Sequence, residues 1–415
     1  MLKDVNQNFW QLASIQGASL GLQGLLLGKG LEYQYGTGVA ITSLCIGNFI
    51  LWIIGLTMFS MTYNERGKAR HALENVVLFF GKPIAILAAI MLMMAFISWF
   101  PLQMEEQNYF LNALLLNYSA WNEIVGIVVT IIFALIIIMI STFGIRMIKW
   151  VCTTCFPFFV LYLIYALFKC PSVVTSIVWK FSFQGTILSV LVILPGVINL
   201  PTFFRHAKSR ADGVLALSII TIFNLAFQVS AIYAQFFSDR SELFAPYLSE
   251  TGWTFNLIVS ICFISLVTLC VNLVNIYYAS VAIELVVPNL ADTKGYTLIG
   301  LIGILAIELF ANKDVIKILQ VITNNFIGSL GFMLLIGCLS RILVKHRFRY
   351  FELSINVICW FIGCIVSLFV FILGGQITES FLSGILALLV VFLCILFIEE
   401  FVWSYRKIKS NFWKN

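Results

Sequence analysis

Polar side chains interrupt otherwise apolar stretches of this chain at spacings that suit the binding of a small molecule. Trp99 and Gln103 are four residues apart, so they share one face if the segment is helical, and Phe96 lies one turn before Trp99. An indole offers a flat stacking surface and an N–H donor, and a glutamine amide offers both a donor and an acceptor. The spacing predicts a site for a flat polar solute, and a position of Trp99 at the membrane interface is the alternative.

Further amides and two carboxylates lie in other apolar stretches. Asn272 and Asn275 are one helical turn apart, and Gln23 falls in the first apolar stretch. Asparagines in an apolar helix are costly unless they are paired or functional, so they predict either solute binding or interhelical hydrogen bonds. Glu284 and Glu308 are expected to be paired or snorkelling carboxylates rather than a proton relay. Because no full positive charge is expected near these amides, the pocket suits a largely neutral molecule better than a phosphate or a dicarboxylate.

Motifs of common enzymes are missing or occur out of context. HExxH and the phosphate-binding GxxxxGK[ST] do not occur, and the one GxSxG match, at residues 17–21, lies in the glycine-rich first apolar stretch rather than between a strand and a helix. His71, His206 and His346 are expected in loops, which argues against a buried histidine-based active site. Cys152 and Cys155 form a single CxxC, which predicts two packing thiols rather than a metal site. We therefore expect no enzyme activity, no bound cofactor and no nucleic-acid partner.

The elements that position these side chains are predicted to be membrane helices. The chain has 415 residues, of which 61% are hydrophobic and 11% charged. A soluble domain carries roughly 25% charged residues. The apolar runs, for example 84–104 and 124–140, are continuous and long, which predicts helices of about 20 residues rather than the alternating strands of a barrel. The fold class is therefore an all-α polytopic membrane protein in contact with the lipid bilayer.

Twelve spans are expected, with no large soluble domain between them. They cover approximately residues 8–31, 37–62, 83–110, 123–143, 146–168, 184–203, 211–236, 253–287, 296–311, 314–341, 351–374 and 380–404. The longest loops lie near 63–82 and 237–252. With the N-terminus inside, 19 of the 25 lysines and arginines fall on the inner side. The positive-inside rule then places both termini in the cytoplasm, with the protein in the inner membrane as a monomer.

Two spans are predicted to be interrupted near the middle of the membrane. Span one is rich in glycine between residues 17 and 30, and span six contains Pro195 and Gly196 followed by Asn199 and Pro201. Glycine weakens a helix and proline removes a backbone donor, so both segments are expected to leave peptide groups unpaired. In span one, close packing of the glycines against a neighbouring helix is an equally good interpretation.

The interrupted spans are five apart, which is typical of two five-helix repeats of inverted topology in secondary transporters. We expect the first repeat over residues 8–168 and the second, inverted repeat over residues 184–341. Two additional helices then occupy residues 351–404. In this arrangement the solute site lies between the two interrupted helices, near the bilayer midplane.

Three short motifs occur in an order that resembles a known family. They are Ile-Gly-Asn at 46–48, Phe-Phe-Arg-His-Ala-Lys at 203–208, with Thr202 in place of an acidic residue, and Asn-Ile-Tyr-Tyr-Ala-Ser at 275–280. This pattern resembles the nucleobase:cation symporter-1 family, the permeases of cytosine, purines, allantoin and hydantoins, over most of the chain. The resemblance implies a LeuT-type fold of five plus five helices with two more, and import of a nucleobase-like ring together with Na⁺ or H⁺.

The resemblance also implies roles for the residues above. Trp99 would stack on the ring, Gln103 would hydrogen-bond to it, and backbone carbonyls from residue 19 to 22 would face the cation. The predicted solute contacts are Gln23, Phe96, Trp99, Gln103, Pro195, Gly196, Asn199, Asn272 and Asn275. The predicted cation contacts are Ser19, Leu22, Thr268 and Cys270. Where the family supplies hydroxyls to the cation, this chain has Leu269 and Cys270, so the choice between Na⁺ and H⁺ stays open.

The predicted function is secondary active transport, by alternating access, of a small and largely neutral heterocycle such as cytosine or a purine. A transporter of the same fold for another solute, such as an amino acid, is the first alternative. A non-transporting membrane sensor is the second alternative, although the loops are too short for an obvious output domain.

Overall fold

The computed structural model describes residues 7–62, 70–115, 121–169, 177–233, 255–290, 293–309, 322–323, 325–336 and 353–412. The longer helices in these segments are α1 (Phe9–Ala18), α2 (Gly21–Tyr35), α3 (Thr37–Thr62), α4 (Ala72–Phe80), α5 (Lys82–Leu115), α6 (Glu123–Ser141), α7 (Ile145–Lys169), α8 (Phe183–Ile198), α9 (Pro201–Phe204), α10 (Arg210–Tyr233), α11 (Phe255–Val286), α12 (Thr293–Leu309), α13 (Asn325–Ile336), α14 (Leu353–Ile372) and α15 (Ile377–Phe412). A single-turn 3-10 helix at Pro288–Leu290 follows α11. Among the described residues, the one β-type pairing is an isolated parallel bridge between Gln7 and Ala207.

The predicted membrane protein is confirmed by the apolar character of these helices. Within the described residues, nine helical segments are long and apolar enough to cross a membrane. Their outer faces expose large hydrophobic side chains; in α6, Ile132, Leu135 and Met139 are 53%, 49% and 58% exposed. Such surfaces are stable in lipid rather than in water. The boundary predicted between spans nine and ten lies outside the described residues.

The first predicted interruption separates α1 from α2. The Ser19 N–H is shared between the carbonyls of Ile15 and Gln16, both at 3.2 Å, and the Leu20 N–H reaches the Gly17 carbonyl at 3.4 Å. The backbone therefore changes from four-residue to three-residue hydrogen bonds, which is a weak point in a helix. The alternative interpretation, close packing of the glycines against a neighbouring helix, holds as well, since a Cβ at Gly17 would collide with the Phe156 ring of α7. The interruption and the close packing occur side by side.

The second interruption separates α8 from α9, and it lies later than the proline-glycine pair that predicted it. Helix α8 continues through Pro195, because the residues that follow still have N–H groups to donate to the helix. The Asn199 N–H, for example, reaches the Pro195 carbonyl at 3.2 Å. The chain leaves the helix at Asn199 and Leu200. Pro201 then opens α9, where a missing N–H costs nothing. The Asn199 Oδ1 accepts a hydrogen bond from Thr202 Oγ1 at 2.7 Å across this junction.

The segment predicted as a loop near 63–82 contains the helix α4. His71 precedes this helix, and its N–H donates to the Glu74 carboxylate at 2.9 Å. Leu73, Val76 and Phe80 on one face are buried, and α4 packs against α5 and α14. The prediction was wrong here because the helix is only nine residues long. Its stability comes from tertiary packing of one apolar face, which short periodic patterns do not reveal.

Ten of the helices pack in two groups, and α14 and α15 pack mainly on each other. The first group contains α1, α2, α3, α8, α9 and α10, and the second contains α5, α6, α11 and α12. Helix α7 contacts both groups, through α1 and through α11. Where α1 and α2 meet α11, the two interrupted segments of the first group face the long, continuous helices of the second.

Candidate solute-binding site

A cavity of about 160 Å³ lies where the two groups of helices meet. Its wall is formed by residues of α1, α2, α3, α5, α8, α10 and α11 together with both interruptions. Ser19 and Leu20 of the first interruption and Leu200 of the second line it directly. The broken helices therefore border one shared space, as the sequence predicted for two discontinuous segments.

Seven of the residues predicted from sequence line this cavity. They are Ser19, Phe96, Trp99, Gln103, Pro195, Gly196 and Asn275. Gln103 is 1% exposed, and its Oε1 has no hydrogen-bond partner. A Cβ added at Gly196 would meet no atom within 4 Å, which means that the cavity passes directly over this backbone. Pro195 has no N–H to donate to the Leu191 carbonyl, so α8 lacks one regular backbone hydrogen bond next to the cavity.

An aromatic surface forms one side of the cavity. The rings of Phe96 and Tyr278 are stacked with their centroids 4.8 Å apart, and Phe203 meets Tyr278 edge-on at 5.0 Å. The Tyr278 hydroxyl donates to Gln16 Oε1 at 3.2 Å. Sequence analysis did not assign Tyr278 or Gln16 to the site, although Tyr278 follows Asn275 by one turn. A flat solute can stack on Trp99 and contact the edge of this aromatic group.

A network of three buried amides forms another side. Asn48 of α3 contacts Asn224 and Gln228 of α10, and Asn48 and Asn224 line the cavity. All three side chains are at most 3% exposed. Sequence analysis mentioned Asn48 only as part of a motif and missed the other two. Asn224 and Gln228 are four residues apart, so their shared helix face was the signal that could have found them.

The cavity contains no full charge. No aspartate, glutamate, lysine, arginine or histidine is among the described residues that line it. Its polar groups are amides, hydroxyls, an indole and peptide groups, which hydrogen-bond without requiring a counter-ion. Since a charged solute without a partner charge is strongly disfavoured at low dielectric, the cavity favours a neutral molecule.

Asn272 and Asn199 were also predicted to contact the solute, but they do not line the cavity. Asn272 is fully buried in α11, where its Oδ1 accepts from Asn275 Nδ2 at 3.5 Å, and it does not line the cavity. Asn199 bonds to Thr202 at the second interruption and is likewise outside the lining. The side chains of Leu22, Gln23 and Glu308 lie outside the described parts of the structure. Glu284 is exposed near the end of α11.

The predicted cation ligands of span eight, Thr268 and Cys270, do not line the cavity. Cys270 is buried and its thiol contacts the thiols of Cys152 and Cys155 on α7, so the single CxxC has a third cysteine as its neighbour. Across the described residues, no group of three or more histidines, cysteines and carboxylates has the arrangement of a metal site. Thr268 is also fully buried, and its hydroxyl has no hydrogen-bond partner.

A cluster of titratable side chains lies just beyond the second interruption. Arg205 contacts the Tyr277 hydroxyl at 3.4 Å and His206 Nε2 at 3.3 Å. Burial and the Arg205 charge together lower the pKa of His206 from 6.5 to about 4. Burial lowers the pKa of His71 to about 4 as well, although Glu74 opposes the shift. Both histidines lie in loops, as the sequence predicted, but both are largely enclosed and neutral at pH 7. We call Arg205, His206, Tyr277 and His71 the Arg205 cluster.

The overall arrangement matches solved transporter structures. One is Mhp1, described as a nucleobase-cation-symport-1 family transporter, in a closed conformation with bromovinylhydantoin bound. It has 15% sequence identity and a TM-score of 0.68, over 94% of this chain and 92% of that one. The fold is that of these transporters. An inward-facing conformation of Mhp1 matches with 14% identity and a TM-score of 0.64, over 96% and 94% of the two chains.

A third solved structure has the same fold. A Na⁺-coupled sialic acid symporter in a substrate-bound outward-open state matches with 14% identity and a TM-score of 0.67, over 93% of this chain and 88% of that one. No family model and no curated protein sequence matches the chain. The predicted LeuT-type all-α fold with two discontinuous helices is therefore confirmed. Its substrate and coupling ion do not follow from identities this low.

Proposed function

We propose that this protein is a secondary transporter that carries a small, flat, neutral molecule across the membrane by alternating access. The observation that carries the proposal is the uncharged cavity between the two interrupted helices, with the Trp99 indole, the Gln103 amide and the Asn275 amide on its wall. The similar structures are described in closed, inward-facing and outward-open states, which supports a fold that opens to each side in turn.

Within this class we propose a nucleobase or a related heterocycle as the substrate. A planar ring can stack on Trp99, and an indole–ring contact is worth about 0.5–1.5 kcal/mol beyond the buried area. Gln103 and Asn275 supply the donors and acceptors that ring nitrogens and carbonyls need. A zwitterionic amino acid fits less well, because the described lining offers no charged side chain for its carboxylate or its ammonium group.

The coupling ion is proposed to be a monovalent cation, either Na⁺ or H⁺. Buried Thr268 has an unpartnered hydroxyl and could serve as an oxygen ligand, whereas Cys270 faces the thiols of α7. Both termini are placed in the cytoplasm by the distribution of lysine and arginine. Replacing external Na⁺ by choline at constant pH separates the two ions, because H⁺-coupled uptake persists in choline and collapses with a protonophore.

The test of the transport proposal is uptake into proteoliposomes of radiolabelled cytosine, uracil, hypoxanthine and hydantoin, with leucine as an amino-acid probe. We expect uptake of at least one of the heterocycles and a loss of about 100-fold or more in Trp99→Ala. Trp150→Ala is the matched control, since Trp150 is 62% exposed on α7 and lies outside the cavity. Uptake of leucine alone would show that the substrate is an amino acid rather than a heterocycle. No uptake of any probe by well-folded protein would contradict transport itself.

A further inference from the structure

The amide network between α3 and α10 has a hydrogen-bonding direction that the backbone determines. Asn48 Nδ2 lies 2.9 Å from the Leu44 carbonyl oxygen, so this atom has to be the nitrogen, because two oxygens cannot hydrogen-bond without a proton. The amide of Asn48 therefore cannot be flipped. Its other N–H donates to Gln228 Oε1 at 2.7 Å, which in turn leaves Gln228 Nε2 without a partner.

The same argument determines the orientation of Asn224. Because Asn48 Nδ2 is committed to Leu44 and Gln228, Asn48 Oδ1 is left as an acceptor, and it receives the Asn224 Nδ2 at 2.6 Å. Asn224 Oδ1 then has no partner, although Asn224 is 97% buried and lines the cavity. An unpaired acceptor at such a position costs free energy that a ligand donor would recover.

A second group makes this wall an acceptor surface. Thr221 lies three residues before Asn224 on α10 and also lines the cavity. Its single hydroxyl proton donates to the Leu217 carbonyl at 2.9 Å, so only oxygen lone pairs remain for a solute. At this wall, therefore, the lone pairs of Thr221 and Asn224 are offered without a matching donor.

From this arrangement we infer that Asn224 selects the substrate by accepting a hydrogen bond from it, which rests on the solute site proposed above. The substrate presents an N–H or O–H group to the α10 wall while its ring lies against Trp99. The class of ligand is then a neutral lactam, imide or amino-substituted heterocycle. Fully N-alkylated rings of the same shape are rejected, because they leave Asn224 Oδ1 buried without a partner.

The test compares ligands in which methyl groups replace the N–H donors, and the variants separate the loss of the donor from the added bulk. Binding of uracil and 1,3-dimethyluracil, and of hydantoin and 1,3-dimethylhydantoin, is measured by calorimetry on the purified full-length chain in detergent. We expect the N–H form to bind wild-type protein about tenfold or more tightly than its methylated partner. In Asn224→Leu, which keeps the number and branching of the side-chain heavy atoms, the preference should fall to within about threefold. Thr221→Val should reduce the preference for the N–H form less than Asn224→Leu does.

Two further variants keep the test decisive. Asn356→Leu removes a buried amide that donates to the Phe79 carbonyl far from the cavity, so it should keep the wild-type preference. Asn48→Leu releases the Asn224 amide, which can then turn its nitrogen to the ligand, so the preference should also fall. This second route remains available if Asn224→Leu does not fold.

The outcomes separate this inference from the transport proposal. An undiminished N–H preference in Asn224→Leu and Asn48→Leu overturns the inference, whether or not uptake occurs. A preference that depends on Asn224 without any uptake in proteoliposomes supports the inference and contradicts transport. Failure of every N–H ring in the panel to bind wild-type protein overturns both, because no donor would then reach the wall.

Discussion

The cavity and the Arg205 cluster both enclose polar side chains, but they satisfy them in different ways. In the cavity the groups are neutral, and several atoms, including Gln103 Oε1 and Asn224 Oδ1, have no partner. In the Arg205 cluster the groups are charged or titratable, and Arg205, His206 and Tyr277 all contact one another. The contrast shows that the cavity wall keeps hydrogen-bonding capacity for a solute, whereas Arg205, His206 and Tyr277 direct theirs at one another.

The two regions also differ in what surrounds them. The cavity lies over glycine and proline in α8, so empty space reaches the backbone at Gly196. Aromatic rings pack against the Arg205 cluster, and the ring centroids of Phe203 and Tyr277 are 4.6 Å apart. Next to it, the Gln7 N–H bonds to the His206 carbonyl at 2.8 Å, and the Lys208 N–H returns to the Gln7 carbonyl at 2.8 Å. Backbone and side-chain contacts therefore hold the segments at this end of the molecule together.

The largest effect is expected from filling the cavity. Gly196→Leu places a side chain in the open space above α8 and should weaken substrate binding by about 100-fold, or about 3 kcal/mol, since overpacking forces the ligand out. Calorimetry on the purified protein measures the change. Gly30→Leu is the matched control, because a Cβ there also meets nothing within 4 Å but Gly30 does not line the cavity. Equal affinities in the two variants would show that the cavity is not the binding site.

The next largest effect is expected in the pH dependence of stability, which involves two histidines of the Arg205 cluster. His71 and His206 have pKa values of about 4 when folded and about 6.5 when unfolded, so the unfolded chain binds more protons between these values. Stability is then full above pH 6.5 and is lost as the pH falls towards 4, by roughly 1–2 kcal/mol for each histidine at pH 5. Thermal unfolding between pH 7 and pH 5 measures the loss.

A matched variant sharpens the pH prediction. His206→Gln should remove about half of the pH dependence, because His71 continues to titrate. Substrate affinity over the same range should change little from the cavity itself, since no charged side chain is among its described lining residues. A melting temperature that is independent of pH in the wild type would show that these histidines are solvated.

A smaller effect on substrate binding is expected when two asparagines of α11 are replaced. Asn275 lines the cavity and Asn272 does not. Asn275→Leu should therefore weaken binding by about tenfold, whereas Asn272→Leu should change it by less than about twofold, because truncating a hydrogen-bonding group matters most where a ligand uses it. Ligand titration on both variants compares them directly. A larger loss in Asn272→Leu would place the solute closer to the middle of α11.

The smallest effect is expected from Tyr277→Phe, which removes one hydroxyl from the Arg205 cluster and keeps the ring against Phe203. The contacts that are lost, at 3.4 Å to Arg205 and 3.5 Å to His206, are long, so the cost should be about 1 kcal/mol. Thermal unfolding measures it, with Tyr35→Phe at the more exposed end of α2 as the control. A change in substrate affinity without a change in stability would instead couple this cluster to the cavity.

Sequence analysis found part of the site because some signals are local. Trp99 and Gln103 were recognisable from their four-residue spacing in one apolar helix, and Pro195 with Gly196 from the chemistry of the backbone. Asn224 shares a helix face with Gln228, but this spacing does not reveal what the face meets; the role of Asn224 depends on Asn48, 176 residues away in the chain. Cys270 was assigned to a cation site because the motif does not reveal that α7 brings two thiols beside it.

By itself the sequence determined the solvent, the fold class and the presence of two helix interruptions. These follow from composition and from the backbone chemistry of glycine and proline, which act over a few residues and need no tertiary contact. Only the tertiary structure decided which polar atoms face one another across the cavity, where α8 ends, and which histidines are enclosed. The reason is physical: an amide or an imidazole takes its hydrogen-bonding direction and its charge from neighbours that the folded helices bring together.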